Sequence, residues 1–120
     1  MNFYASATGG AIISIQRYGD APMPGNEAHK DKVLHGLMHI NGATVMFSDS
    51  GSNGDVSIGN NFSMALDFKD EAQMQQAFDA LCAGGAVTMP LQDTFWGARF
   101  GMCKDKFSIN WMFNMDKPKV

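Results

Sequence analysis

The sequence predicts an α+β fold made of two copies of one βαβββ unit. The first observation behind this is a repeat. Phe3, Gly9, Gly10, Ala11 and Ile12 return as Phe78, Gly84, Gly85, Ala86 and Val87, all at one offset (84 − 9 = 75), as a duplicated unit would show. The second is a strand pattern at 61–68, where Phe62, Met64, Leu66 and Phe68 alternate with Asn61, Ser63, Ala65 and Asp67. The third is the helical stripe Met74, Ala77, Phe78 and Leu81, which follows that strand directly and precedes further strand-like runs.

In the first copy, strands are expected at 11–17, 33–40 and 43–48. Asn41-Gly42 forms the two-residue hairpin turn between the last two, since both residues tolerate positive φ. Projected back by the same offset, the counterpart of the 61–68 strand falls before residue 1. The first unit is therefore expected to lack its opening strand and most of its helix, either because the start is misassigned or trimmed or because the protein does without them. Such a gap leaves an unpaired sheet edge, which favours pairing with another chain. In the second copy, Asp70 caps a helix, with Gln73 three residues on. Gly84 and Gly85 end that helix through a left-handed cap, and strands follow at 86–91, 98–103 and 107–114. The repeat units thus run over about 1–50 and 61–116 of a single 1–120 domain. The stretches 18–31 and 49–59, rich in Gly, Pro, Ser, Asp and Asn, are surface loops that serve either as ligand lids or as plain linkers.

Composition narrows the function classes. A chain of 120 residues with 45% apolar and 18% charged residues is ordinary for one globular domain. A net charge of −3 without a Lys/Arg cluster argues against nucleic acid as a partner. No apolar run approaches a membrane span and MNFYASATGG lacks a leader pattern, so no membrane partner is expected and the expected compartment is the cytoplasm. Cys82 and Cys103 form no CxxC and have no histidine at zinc-finger spacing; both read as reduced, mostly buried thiols. Gly9-Gly10 lacks G-x-G-x-x-G spacing and follows a helix where a dinucleotide loop follows a strand. No P-loop and no G-x-S-x-G occur either.

Two motifs in the C-terminal half are more specific: D-T-F-W-G at 93–97 and D-K-F-S-x-x-W at 105–111. They resemble the PhnB-like branch of the vicinal oxygen chelate superfamily, the glyoxalase/bleomycin-resistance/dioxygenase fold, whose members carry D-T-F-W-G and D-K-F-G-x-x-W. Ser108 stands where that pattern has glycine, so the final turn is expected to be strained or reshaped. The resemblance implies a curved mixed sheet with helices outside and a central cavity inside, a homodimer, and in metal-using members an open site for a substrate with adjacent oxygens. Some sequences of this branch are labelled demethylubiquinone methyltransferases, but this chain offers no Gly-rich turn on a doubly wound sheet to hold such a cofactor.

Strand parity then sorts residues between the helix side and the cavity implied by the resemblance. With Leu34, Met38 and Ile40 toward the helix, Val33, His35, Leu37 and His39 face inward. With Ile109, Trp111 and Phe113 toward the helix, Ser108, Asn110, Met112 and Asn114 face inward. At the positions where metal-using relatives carry ligands, this chain has Ser63, Met112 and Met46 or Ser48, none a good ligand for a hard divalent ion. No metal-binding residues and no cofactor are therefore predicted. His35 and His39 cannot share an ion, because four strand residues span about 13 Å. The cavity candidates are His35, Ser63, Trp96, Arg99, Asn110 and Met112. His35 serves as a base, hydrogen-bond group or lone ligand, or else as a wall residue. Arg99 holds an anionic or planar ligand, or pairs with Asp93 to pin its loop. Trp96 is a stacking platform at the cavity mouth or an ordinary core residue. His29, in a polar loop, reads as solvated. The expected function is a metal-free, small-molecule-binding homodimer; the alternative is a metal-dependent lyase, isomerase or dioxygenase with unorthodox ligation through His35 and a partner chain.

Overall fold

The computed structural model of the chain describes residues 1–20, 30–49 and 57–117. His29 and the middle of each Gly-rich loop lie outside the described residues. The chain divides into two compact units, Met1–Ser57 and Ile58–Val120. Each has its own helix and its own hydrogen-bonded sheet, and no helix among the described residues is long and apolar enough to cross a membrane.

The first unit opens with α1 (Asn2–Thr8), followed by β1 (Ala11–Arg17), a 3-10 turn at Tyr18–Asp20, β2 (Val33–Ile40) and β3 (Ala43–Phe47). Gly9 ends α1 in the left-handed region at φ 72°, where a side chain is costly, and its N–H donates to the Ala5 carbonyl. The three strands form an antiparallel sheet in the order β1-β2-β3. β1 and β2 have the bounds the sequence predicts, and β3 stops one residue sooner. Asn41 (φ 48°) and Gly42 (φ 81°) form the expected two-residue turn, with the positive φ at both positions that a type I′ hairpin needs. Period-2 alternation puts Gly36, Met38 and Ile40 on the buried side, and Tyr4 of α1 stacks on Phe47 at 5.7 Å.

The second unit has the full β-α-β-β-β order: β4 (Met64–Asp67), α2 (Glu71–Cys82), β5 (Ala86–Asp93), β6 (Ala98–Lys104) and β7 (Asn110–Asp116). Its mixed sheet runs β4-β7-β6-β5, with β4 parallel to β7 and the other neighbours antiparallel. Asp70 caps α2 as its sequence suggests, accepting from the N–H groups of Ala72 (2.8 Å) and Gln73 (3.1 Å). The helix ends on an extended Ala83, and the left-handed residue is Gly84 at φ 78°. Met74, Ala77, Phe78 and Leu81 are buried, and Phe113 of β7 lies 5.0 Å from Phe78 and 5.9 Å from Phe68. That aromatic cluster is the core of the unit.

Two strands start later than the sequence pattern predicts. β4 pairs with β7 only from Met64, so Phe62 lies outside the strand and is 57% exposed. β7 starts at Asn110 because residues 105–109 are held in a turn by Asp105, which is only 3% exposed. Its Oδ1 accepts from the N–H groups of Phe107 (2.8 Å) and Ile109 (3.1 Å), while Oδ2 accepts from Trp111 Nε1 (2.8 Å). The turn leaves Ser108 at φ 71°, the strained geometry expected where related sequences carry glycine.

Candidate functional site

Register decides which side chains share a face of the second unit's sheet. Cys103 sits opposite Trp111, Gly101 opposite Phe113 and Arg99 opposite Met115, and this is the side α2 covers. On the other side, Lys104 faces Asn110, Met102 faces Met112 and Phe100 faces Asn114. β4 extends that surface through Ala65, opposite Met112, and Asp67, opposite Asn114. The helix-free face therefore has a floor of Phe100, Met102 and Met112, edged by amides and carboxylates.

Asn114 organises the polar edge. Its Nδ2 donates to Asp67 Oδ1 (3.2 Å) and to Asp116 Oδ1 (3.3 Å), so one amide bridges two carboxylates on adjacent strands. Asn110 Nδ2 reaches the Phe62 carbonyl at 3.5 Å. Ser63 lies just before β4 and is half-buried, as are Asn110, Met112, Asn114, Phe100 and Met102. The face offers carboxylate acceptors beside soft, polarisable thioethers, which accommodate an apolar body of varied shape.

The D-T-F-W-G motif is a scaffolded loop. Thr94 Oγ1 donates to the Ala98 carbonyl (3.0 Å) and accepts from the Ala98 N–H (3.2 Å), while Gly97 turns at φ 84°. This closure drives Phe95 outward until it is 97% exposed. Trp96 meets Phe95 edge-on at 5.0 Å and Phe100 at 5.9 Å, so the indole leans on a residue of the helix-free face.

Arg99 does not join that face. It lies on the α2 side, 21% exposed, with Nη1 3.2 Å from Asp93 Oδ1 and Nε 3.4 Å from Glu71 Oε1 at the start of α2. The Glu71 contact is an ion pair without a hydrogen bond at Nε. Lys117 Nζ also reaches Asp93 Oδ1, at 2.8 Å. The Lys117 hydrogen bond, and after it Arg99, hold the Asp93 carboxyl below its ordinary range. Of the two readings of Arg99, the loop-pinning one matches this geometry, because odd-numbered β6 positions point toward the helix.

In the first unit, His35 is exposed on β2, opposite Gln16, on the side of the sheet away from Met38 and Ile40. Leu37 and His39 share that side, opposite Met46 and Thr44. Among the sequence-predicted candidates, then, Ser63, Asn110 and Met112 come together on one sheet, with Trp96 at its end. Arg99 is on the opposite side of that sheet, and His35 belongs to the other unit. Asn114, which parity already turns inward, joins Ser63, Asn110 and Met112 on this face together with Asp67, Phe100, Met102 and Asp116, which the sequence candidates do not include. The same period-2 parity applied along β4, β6 and β7 identifies them.

The family model described as 3-demethylubiquinone-9 3-methyltransferase matches residues 1–113. The chain belongs to this PhnB-like family. Protein PA1353 from Pseudomonas aeruginosa is 32% identical, with a TM-score of 0.84 over 98% of this chain and 86% of that one. The structure described as a putative 3-demethylubiquinone-9 3-methyltransferase, PhnB protein, from Bacillus cereus is 30% identical, with a TM-score of 0.76 over 96% and 87%. Protein YjdN of Escherichia coli is 27% identical over 96% of this chain and 84% of its own length. A glyoxalase/bleomycin resistance protein/dioxygenase from Alicyclobacillus acidocaldarius, 12% identical, shares the fold with a TM-score of 0.56 over 96% of this chain and 79% of that one.

The chemistry named in these descriptions can be tested against the residues present. A methyl-donor cofactor of the usual kind needs a Gly-rich turn leading from strand to helix on a parallel sheet. Here Gly9 and Gly84 lie just beyond helix C-termini, and the only parallel pairing among the described residues is β4 with β7. The PhnB-like chain does not fit that cofactor. Ser63 and Met112 stand where the resemblance places metal ligands, and neither is a good ligand for a hard divalent ion; among the described residues, no three His, Cys, Asp or Glu side chains are grouped to hold an ion.

Proposed function

We propose that this PhnB-like protein is a metal-free small-molecule-binding protein that acts as a homodimer in the cytoplasm, with its ligand on the helix-free face of the second unit's sheet. The observation that carries the reading is the Asn114 amide bridging Asp67 and Asp116 beside the Phe100, Met102 and Met112 floor. Paired carboxylates select a ligand bearing N–H or O–H donors, uncharged or cationic, and the thioether floor takes its apolar part. Ser63 and Asn110 add polar groups to the same face, and Trp96 supplies an aromatic wall. Arg99 is left to its ion pairs; Lys104 lies on this face at the Asn110 end, but the Asp67 and Asp116 carboxylates outweigh it at the other, so anionic ligands are disfavoured. The two free cysteines fit a reducing compartment.

The test is a thermal-shift screen with amines, neutral heterocycles and carboxylates, followed by calorimetry on the hits. A ligand present at a hundred times its Kd stabilises the fold by about 2.7 kcal/mol. Amine or neutral hits should lose this effect in Met112→Trp, which fills the floor, and in Asn114→Leu, which removes the bridge. A hit set made up of carboxylates, or binding unchanged in both variants, would sink the reading. His35→Ala reports separately on the first unit, and this face predicts no change in affinity.

A further inference from the structure

The chain has two cysteines, and the fold of the second unit brings them together. Cys82 is the last residue of α2 and Cys103 lies on β6, with all of β5 between them in the chain. The β6 register puts Cys103 on the rung opposite Trp111, on the side of the sheet that α2 packs against. There the two thiols share a hydrogen bond.

The pair is unequal in two respects. Cys103 is 0% exposed, whereas Cys82 is part-exposed and is followed by the exposed, small residues Ala83, Gly84 and Gly85. A small oxidant in solution therefore meets Cys82 first. The second respect is ionisation. Burial raises both thiols above their ordinary value, so neither is an activated thiolate at neutral pH and both stay reduced under ordinary conditions. The contact between them acts in opposite directions, lowering Cys82 and raising Cys103, as when the Cys103 S–H donates to a Cys82 thiolate. The thiol that solvent reaches is thus also the one whose anion its neighbour supports.

We infer that Cys82 and Cys103 form a reversible disulfide when the protein meets a hydroperoxide, with Cys82 oxidised first and Cys103 closing the bond. In the first step the Cys82 sulfur attacks the peroxide. An S–O bond forms, the O–O bond breaks, and the thiol proton leaves with the departing alcohol, or with water when the oxidant is hydrogen peroxide. In the second step the Cys103 sulfur attacks the Cys82 sulfenic acid. The S–S bond forms, the S–O bond breaks, and hydroxide takes up the Cys103 proton and leaves as water. The two thiols together lose two electrons and the peroxide gains them. A thiol reductant reverses the bond by exchange, in keeping with the transient disulfides of reducing compartments. The link ties the end of α2 to the strand that carries Phe100 and Met102 on its other side. Because the thiolate is the reacting form, the first step should quicken about tenfold from pH 7 to pH 8.

The experiment treats the reduced, folded 120-residue chain with hydrogen peroxide at pH 8, then counts free thiols and maps tryptic peptides without reduction. Both readouts follow the cysteines separately from methionine oxidation. Free thiols should fall from two per chain to none. Peptide 70–99, which holds Cys82, should appear joined to peptide 100–104, which holds Cys103, and dithiothreitol should part them. In Cys103→Ser, Cys82 has no thiol to close with and should be trapped as the sulfenic acid by dimedone. In Cys82→Ser, which changes only the part-exposed helix end, Cys103 should stay unmodified at the same dose. A wild type that keeps both thiols overturns the inference, as does a bond between chains in place of one within the chain, or a bond that forms only in urea. Cys103 oxidising as fast in Cys82→Ser as in wild type overturns the order of the two steps.

Discussion

The two units follow one plan with unequal cores, and the inequality separates what makes the sheet from what stabilises it. Both place a helix before three antiparallel strands. In the second unit, the helix is 12 residues long, is capped by Asp70, and buries Met74, Ala77, Phe78 and Leu81. In the first, the helix has 7 residues and no side-chain cap, and buries only Tyr4 and Ala7. Strand order and turns survive that reduction because hairpin geometry and period-2 patterning are local. The helix-side core does not, because it scales with the apolar area a helix can cover.

The largest expected effect bears directly on this contrast. Phe113→Ala should cost about 3–5 kcal/mol, since it opens a cavity between Phe68 and Phe78. Met38→Ala, at an equally buried site under the shorter helix, should fall near the lower end of the 2–5 kcal/mol range, about 2 kcal/mol. Urea unfolding of both variants measures the difference, and equal costs would break the comparison.

A second test uses the cysteines, which occur only in the second unit. Burial first, then the hydrogen bond from Cys82, pushes the Cys103 thiol well above its ordinary 9.0. Above that pH the unfolded thiol loses its proton while the folded one keeps it. The associated stability is thus fully present below pH 9.0 and declines as pH rises beyond it, by at most about 1.4 kcal/mol per pH unit for one proton. Thermal melts from pH 8 to 10.5 should show a steeper decline in wild type than in Cys103→Ala. Parallel slopes would remove the thiol from the account.

The smallest effect compares the non-glycine left-handed residue in each unit. Ser108→Gly should stabilise by about 1 kcal/mol, because serine bears a steric cost at φ 71° that glycine does not. Asn41→Gly should be close to neutral, since asparagine tolerates this region. A destabilised Ser108→Gly would mean that the Asp105 turn depends on the serine side chain.

Much of this architecture was legible in the residues. The bounds of β1 and β2, the Asn41-Gly42 turn, the Asp70 cap and the glycine beyond α2 each depend on neighbours within a few positions, so local preference states them directly. The offset repeat made the order of elements readable in both halves. Parity along the last strand correctly separated Trp111 and Phe113 from Asn110, Met112 and Asn114.

What the sequence by itself determined, then, is the α+β plan, its duplication and the period-2 division of each strand into two faces. Tertiary structure decided which long-range partners those faces meet. The late start of β7 follows from one buried carboxylate gathering two backbone N–H groups and the Trp111 indole. Arg99 turned toward Glu71 and Asp93 because the β6 register put it on the helix side, which its closeness in sequence to Trp96 could not indicate. The Asp67–Asn114–Asp116 bridge exists only because β4, distant in sequence, lies parallel beside β7. Periodicity is a property of the local backbone and can be read residue by residue. Pairing between distant strands is set by packing the whole unit and appears only once it has folded.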